Sequence, residues 1–337
     1  MRLSEHAEPT AERFRRIVRS AATRRWVYRA SYCLGALFAL ERAAHWAVAL
    51  AIALAPNGVA RPRASDFELP AALAERGAVR IEAAVGPPAA TLAAWLIEPR
   101  AQPARGTILL LHGVRMNRRS LIAAGVAFSD AGYRSILVDL RGHGESTGRY
   151  LTYGAVESSD LSELLDALSA RGIALGSVGV FGFSYGAAVA LDLGAQDERV
   201  CAVVAAAPFA SLREVVLDYR SKYLPSASRW IPDRWFDAAL DDAGWIASFN
   251  PDQSPREAVS RSRAHQLLLH GTEDTQVPLR HSVALSSLAG RRAELRPIAG
   301  AAHYDLPEGV LEAEALGWFA RWLAPGQCRV GAAEPSP

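Results

Sequence analysis

Ser184, Asp274 and His303 lie far apart in the chain, yet they have the types and the order needed to activate a hydroxyl. A serine oxygen is a weak nucleophile until a base removes its proton. An imidazole does this best when a carboxylate fixes its tautomer and stabilises its cation. Ser184 stands in Gly182-Phe183-Ser184-Tyr185-Gly186, after the apolar run Val178-Gly179-Val180-Phe181 and before Ala187-Ala188-Val189-Ala190-Leu191. This is G-x-S-x-G between a strand and a helix. Such an abrupt corner forces its tip residue into a strained backbone conformation. Glycines two residues to either side remove the side chains that would collide there. The backbone N–H of Tyr185 then opens a helix, where unpaired donors and the dipole favour negative charge. A second stretch, His112-Gly113-Val114-Arg115, follows another apolar run, so the Val114 N–H could face that of Tyr185 and bind an oxyanion. Asp274 sits in Gly271-Thr272-Glu273-Asp274 and His303 in Gly300-Ala301-Ala302-His303-Tyr304-Asp305. Glu273 is a backup acid, and Asp305 reads as a loop neighbour. Arg115 either meets an anionic substrate group or is an ordinary surface arginine.

The elements that must position these groups are legible in the hydrophobic pattern. Val79–Ala83 alternates and Leu92–Ile97 answers it across Gly86-Pro87-Pro88, as in an antiparallel hairpin. Thr107–Leu111 and Ser135–Asp139 are continuous apolar runs of the kind buried on both faces of a parallel sheet. Further strands fit Val203–Ala207, Leu267–His270 and Glu294–Ile298, and helices fit 121–131, 156–171 and 310–323. Strands alternating with helices predict a mostly parallel, doubly wound α/β sheet. Each stretch singled out above then falls just past a strand, where open α/β sheets bind ligands.

Taken together, residues 78–325 resemble an α/β-hydrolase-fold serine hydrolase over about three quarters of the chain. The resemblance rests on His112-Gly113, Asp139-Leu140-Arg141-Gly142-His143-Gly144-Glu145-Ser146, Gly182–Gly186, His270-Gly271-Thr272-Glu273-Asp274 with Val277-Pro278, and His303, in the family's order. It implies Ser184 as nucleophile, His303 as general base and acid, Asp274 as its orienting acid, and Val114 and Tyr185 as backbone donors, with no cofactor and no metal. Asp139–Ser146 is structural in that family, and Gly142-x-Gly144-x-x-x-Gly148 misses the dinucleotide-binding spacing by one residue. The most similar subgroup is the esterase/lipase or prolyl-oligopeptidase-like group, some of it membrane-anchored. The absence of a large accessory domain favours esters over peptides. The expected substrate is a small-molecule ester with an apolar acyl group, with a thioesterase, acyltransferase or peptidase using the same triad, or a catalytically idle tethered module, as alternatives.

The remainder of the chain divides by composition. Half of its 337 residues are hydrophobic and the net charge is +2, which neither demands nor excludes an acidic partner. Residues 1–30 carry eight arginines against three glutamates, and 31–56 turn apolar. A basic flank before an apolar stretch suggests a membrane anchor with its amino end in the cytoplasm. Against a span, Glu41 and Arg42 each cost roughly 2.5–3.5 kcal/mol within the bilayer, while each Leu, Ile, Phe or Val returns only about 0.3–0.6. The segment spans, lies on the membrane surface, or packs as a helical extension of a cytoplasmic enzyme. No aromatic-interleaved basic surface follows, so no nucleic acid is expected. Residues 57–77 read as linker and 326–337 as a flexible tail. About 209–264, rich in aromatics from Phe209 to Phe249, reads as a helical cap whose aromatics line an acyl pocket, fill the cap's own core, or do both. Cys33, Cys201 and Cys328 show neither metal-ligand nor disulfide-framework spacing, and Cys201 reads as a buried small hydrophobe.

Overall fold

A computed structural model describes residues 21–60, 68–223, 225–226 and 230–328. Five of the N-terminal arginines (Arg2, Arg13, Arg15, Arg16 and Arg19), part of the linker and most of the tail lie outside the described residues. The chain forms two units, one ending at Ala49 and one beginning at Leu50.

The first unit is the greater part of helix α1 (Ala21–Ala53). Residues 23–53 of this helix are long and apolar enough to cross a membrane, and only 17% of its apolar window is buried. Apolar side chains such as Tyr32, Leu34 and Phe38 stand 67–78% exposed.

The second unit is organised by an eight-stranded sheet in the order β1-β2-β4-β3-β5-β6-β7-β8. Its strands are β1 (Val79–Val85), β2 (Ala90–Ile97), β3 (Thr107–Leu111), β4 (Arg134–Asp139), β5 (Val178–Phe183), β6 (Val200–Ala206), β7 (His265–Gly271) and β8 (Ala293–Ile298). The β1–β2 hairpin and the β2–β4 pair are antiparallel, and every other pairing is parallel. The strands from β3 to β8 are followed by helices as crossovers or flanks: α2 (Ile122–Asp130), α3 (Glu157–Ala170), α4 (Tyr185–Gln196), α5 (Leu212–Tyr223), α6 (Asp233–Ala247), α7 (Pro255–Arg261), α8 (Arg280–Ala289) and α9 (Glu308–Trp322). The continuous apolar strands make sense here, because each feeds two cores at once. Leu109, Val138, Val180 and Val203 face α3, α4 and α8, while Ile108, Leu110, Leu137 and Val204 face α2 and α9. The fold is therefore the mostly parallel, doubly wound α/β arrangement that the pattern predicts, and it fits the α/β-hydrolase resemblance.

Two features depart from the sequence reading. Cys201, at the start of β6, is joined by a disulfide to Cys328, with Cα atoms 5.4 Å apart and a separation of 127 along the chain. A pairing set by how the segment after α9 returns to the sheet leaves no local spacing signature. The other departure concerns the last turn of α1 and the residues after it, which are stitched into the second unit. Leu151 N–H donates to Ala53 O (2.9 Å), Ala55 N–H to Arg149 O (3.0 Å), and the Asn57 amide to Gly144 O and Ser146 O (2.9 and 2.8 Å). Asn57 thus clamps the loop of the Asp139–Ser146 segment.

That segment is held by buried charge as well. Asp139 accepts from Arg118 Nη1 (2.6 Å) and from two backbone N–H groups, and Arg118 also pairs with Glu145. Arg141 and Asp160 form a second buried bidentate pair (2.6 Å each). Removing one partner of such a pair leaves an uncompensated buried charge, typically a loss of about 3–5 kcal/mol.

Candidate active site

The corner after β5 has the conformation its spelling requires. Ser184 sits at φ 53°, ψ −114°, and its N–H donates to Ala206 O of the next strand at 2.8 Å. A Cβ on Gly182 would lie 2.2 Å from Gly186 O, and one on Gly186 would lie 2.4 Å from Leu111 O. No side chain fits at either place. The tight corner projects Ser184 from the carboxyl edge of the sheet, where the loops after β3, β7 and β8 also emerge.

Those loops bring Asp274 and His303 to the hydroxyl. His303 Nε2 lies 3.0 Å from Ser184 Oγ, and His303 Nδ1 lies 2.6 Å from Asp274 Oδ2. All three side chains are buried. With Nδ1–H donating to the carboxylate, Nε2 is left as the acceptor for the serine proton. The other Asp274 oxygen accepts from the N–H groups of Gln276 and Val277 (2.9 and 2.8 Å). Burial by itself would raise the Asp274 pKa. Hydrogen bonds from His270 and His303, attraction to His303 and the Val277 N–H outweigh it and hold the carboxyl well below the usual carboxylate range. Glu273, the backup acid, is exposed, and the carboxylate on His303 Nδ1 is that of Asp274. Asp305, read as a loop neighbour, is exposed as well.

The two expected backbone donors lie in the turns after β5 and β3. Tyr185 is the first residue of α4, so its N–H has no acceptor within the helix. Val114 lies in a turn closed by Met116 N–H to Gly113 O (3.1 Å), with Arg115 at φ 61°. Arg115 itself points to solvent. Its backbone N–H, however, donates to Nε2 of His143 at 3.2 Å. His143 can accept because its Nδ1 faces Arg141 O at 3.0 Å and because burial lowers its pKa to about 3, keeping the ring neutral. His143 therefore fastens the residue next to Val114 in this turn. Reading Asp139–Ser146 only as structure missed this. The signal was a histidine flanked by glycines within that segment.

His270 was likewise read only as a strand end. It is buried, takes Ser282 on Nδ1 (2.7 Å), and places Nε2 2.6 Å from Val277 O and 3.5 Å from Asp274, so a second imidazole supports the acid loop. Gln276 ties that loop to the cap: its Oε1 accepts from Tyr223 Oη (3.0 Å) and its Nε2 reaches Tyr304 Oη (3.0 Å).

The cap aromatics divide. Phe209, Tyr219 and Phe249 pack with Leu212, Val215 and Leu240 in a cluster of their own, whereas Trp230 and Trp245 are exposed. The cavity beside the triad lies elsewhere. It measures about 140 Å³, is bounded by Gly113, Phe183 and His303, and has Met116, Leu121 and Leu311 among its walls. None of the cap aromatics lines it. Among the described residues there is no group of three or more His, Cys, Asp or Glu side chains able to hold a metal ion.

Comparisons with known proteins bear on the fold and the family. Residues 108–321 match the profile of the alpha/beta hydrolase family. Over 176 residues the chain is 28% identical to the uncharacterized protein YqkD of Bacillus subtilis, an alignment covering 51% of this chain and only 56% of that protein. Among solved structures, the esterase Pf2001 of Pyrococcus furiosus superposes with a TM-score of 0.63 at 21% identity, covering 78% of this chain and 97% of the esterase. A thermophilic esterase from Thermogutta terrifontis gives 0.53 at 20% identity, with 72% and 98% covered. A puromycin-hydrolyzing peptidase of Mycobacterium tuberculosis gives 0.57 at 19% identity, with 76% and 41% covered. At these identities the structural likeness speaks for the fold, which esterases and peptidases share. With the profile spanning well over half of its residues, the chain belongs to the alpha/beta hydrolase family.

Proposed function

We propose that the protein is a serine hydrolase that cleaves carboxylic esters through an acyl-enzyme. The observation that carries the reading is the buried relay from Asp274 through His303 to Ser184, at 2.6 and 3.0 Å. Ser184 Oγ gives its proton to His303 Nε2 and attacks the ester carbonyl. The N–H groups of Val114 and Tyr185 receive the oxyanion, where one such donor typically contributes about 2.7–4 kcal/mol to the transition state. As the C–O bond breaks, His303 returns the proton to the departing alcohol. Water, activated by the same imidazole, then attacks the acyl-enzyme and frees Ser184. Asp274 stays ionised throughout, holding the imidazole in the productive tautomer.

The 140 Å³ cavity supports a small, apolar substituent on the ester. It is close to the roughly 150 Å³ of an apolar engineered cavity that accommodates benzene. Turnover of p-nitrophenyl butyrate by the full chain, lost in Ser184→Ala, is the expected result. Wild-type rates in that variant would remove Ser184 as the nucleophile. Acyl-thioester and aminoacyl-amide substrates, run in parallel, rank the other reactions open to the same relay.

A further inference from the structure

We infer that this chain is threaded through a lipid bilayer with its arginine-rich end in the cytoplasm, so that the hydrolase unit works on the far, oxidising side, where Cys201–Cys328 closes. Helix α1 carries the first half of the argument. Trp26 and Trp46 are 20 residues apart on it, about 30 Å at 1.5 Å per residue, which matches the hydrocarbon thickness of a bilayer. Tyr28 joins Trp26 at the first end, and aromatic rings of this type settle at membrane–water interfaces. Between these levels the exposed surface is Leu34, Leu37, Phe38 and Leu40, each more than 60% exposed. Water has no favourable contact to offer such a surface, whereas lipid tails do.

Glu41 and Arg42 do not sit at the bilayer centre. They are five and four residues from Trp46, about 6–8 Å below that interface along the helix, within reach of water for side chains of this length. This lowers the insertion penalty below the value for a charge at mid-span. Charge asymmetry then sets the direction. Eight arginines precede residue 31, whereas residues 47–66 contain only Arg61 and Arg63. Basic residues accumulate on the cytoplasmic side.

The disulfide is an independent observation pointing to the same side. Disulfides persist in oxidising compartments and are rare in the cytosol. Closing this one removes two protons and two electrons from the thiols of Cys201 and Cys328. A thiol–disulfide exchange catalyst of that compartment, reduced from its disulfide to its dithiol, accepts them. The remaining cysteine, Cys33, is a free thiol on the exposed face of α1, about 10 Å inside the Trp26 level and out of reach of aqueous reagents.

The test uses the full chain expressed in bacterial cells and converted to intact spheroplasts, with no reliance on esterase activity. Three results are expected: the protein stays with membranes after an alkaline carbonate wash, external protease digests the hydrolase unit, and a membrane-impermeant maleimide–polyethylene glycol adds no mass before reduction and two labels after an impermeant phosphine reductant. Arg24→Glu/Arg25→Glu/Arg29→Glu is expected to reduce the protease-accessible fraction several-fold. Protection of the hydrolase unit until lysis overturns the orientation. Release by carbonate, or recovery as a soluble dimer joined through α1, overturns the bilayer as the occupant of that face. Two labels without reductant overturn the disulfide. Because none of these readouts involves an ester, they succeed or fail apart from the proposed reaction.

Discussion

The two edges of the central sheet are built to opposite ends. At the carboxyl edge, Arg115, Ser184 and Ala207 all adopt positive φ, an unusual concentration for residues with side chains. Two buried imidazoles, His112 and His143, remain neutral there. At the amino edge, Thr107 Oγ1 donates to Leu175 O (2.6 Å), Arg134 pairs with Glu98 (2.7 Å), His265 stacks on Trp322 at 3.3 Å, and Cys201 is tied to Cys328. One edge carries backbone strain and desolvated polar groups. The other is fastened. Each strained residue costs on the order of 1–3 kcal/mol and persists only where the surroundings over-determine it. The amino edge and the two cores supply that over-determination, and the loops at the carboxyl edge are free to be shaped by chemistry.

Substitutions should therefore separate activity from stability according to edge. The largest effect is expected for Ser184→Ala, a loss of about 10⁴–10⁶-fold in kcat with the thermal midpoint nearly unchanged. Steady-state rates and a melting curve on one preparation decide it. Asp274→Asn should follow, with kcat reduced on the order of 10⁴-fold because His303 loses the acceptor that fixes its tautomer. Near-native kcat in that variant would shift the orienting role to another acid.

The reverse pattern is expected at the other edge. The paired change Cys201→Ser/Cys328→Ser should cost roughly 2–5 kcal/mol of unfolding free energy, given the 127-residue separation, and leave kcat/KM intact. A large fall in kcat/KM with an unchanged urea midpoint would break the contrast between the edges.

Acid should act on the carboxyl edge. Burial lowers His112 to about 4 and His143 to about 3, below the ordinary histidine value of 6.5, so the folded state binds fewer protons than the unfolded one. Their contribution is fully present above pH 6.5 and is lost as pH falls through 4 towards 3. Asp192, pushed up to about 8 by burial, works in the opposite sense between pH 4 and 8. The histidine share is thus read as the difference in urea stability between the native protein and His143→Gln, which should narrow as pH drops from 7 to 4. A constant difference would mean that His143 is not held neutral.

The smallest effect sharpens the strain itself. Ser184→Gly should raise stability by about 1–3 kcal/mol while abolishing turnover, because glycine adopts the corner conformation without penalty. Equal stability of the Gly and Ala variants would show that the corner stores little.

Much of this was legible in the chain. The strands from Thr107 to Ile298 declared themselves as apolar runs, because a strand covered on both faces needs no polar alternation. The Gly182–Gly186 corner declared itself because so close an approach of backbone to backbone admits few residues. Ser184, Asp274 and His303 could be proposed together because each loop emerges at the same ends of the strands. Other features had no local signature. His143 looks the same in sequence whether it merely packs or accepts the Arg115 N–H. The cap aromatics could not reveal that they pack on one another and leave the cavity to Met116, Leu121 and Leu311. Cys201 and Cys328 share no motif.

What the amino-acid order by itself determined was everything set by periodicity and by backbone sterics: the element types, the sheet class, the sharp corner and the three residues worth joining. What only the folded chain decided was everything that depends on distant segments meeting. The 3.0 Å contact between residues 119 apart, the imidazole that accepts the Arg115 N–H, the wall of the cavity and the partner of Cys201 all belong to that second set. The reason is physical: local rules act over a few residues, whereas proximity in space is fixed only when both cores close.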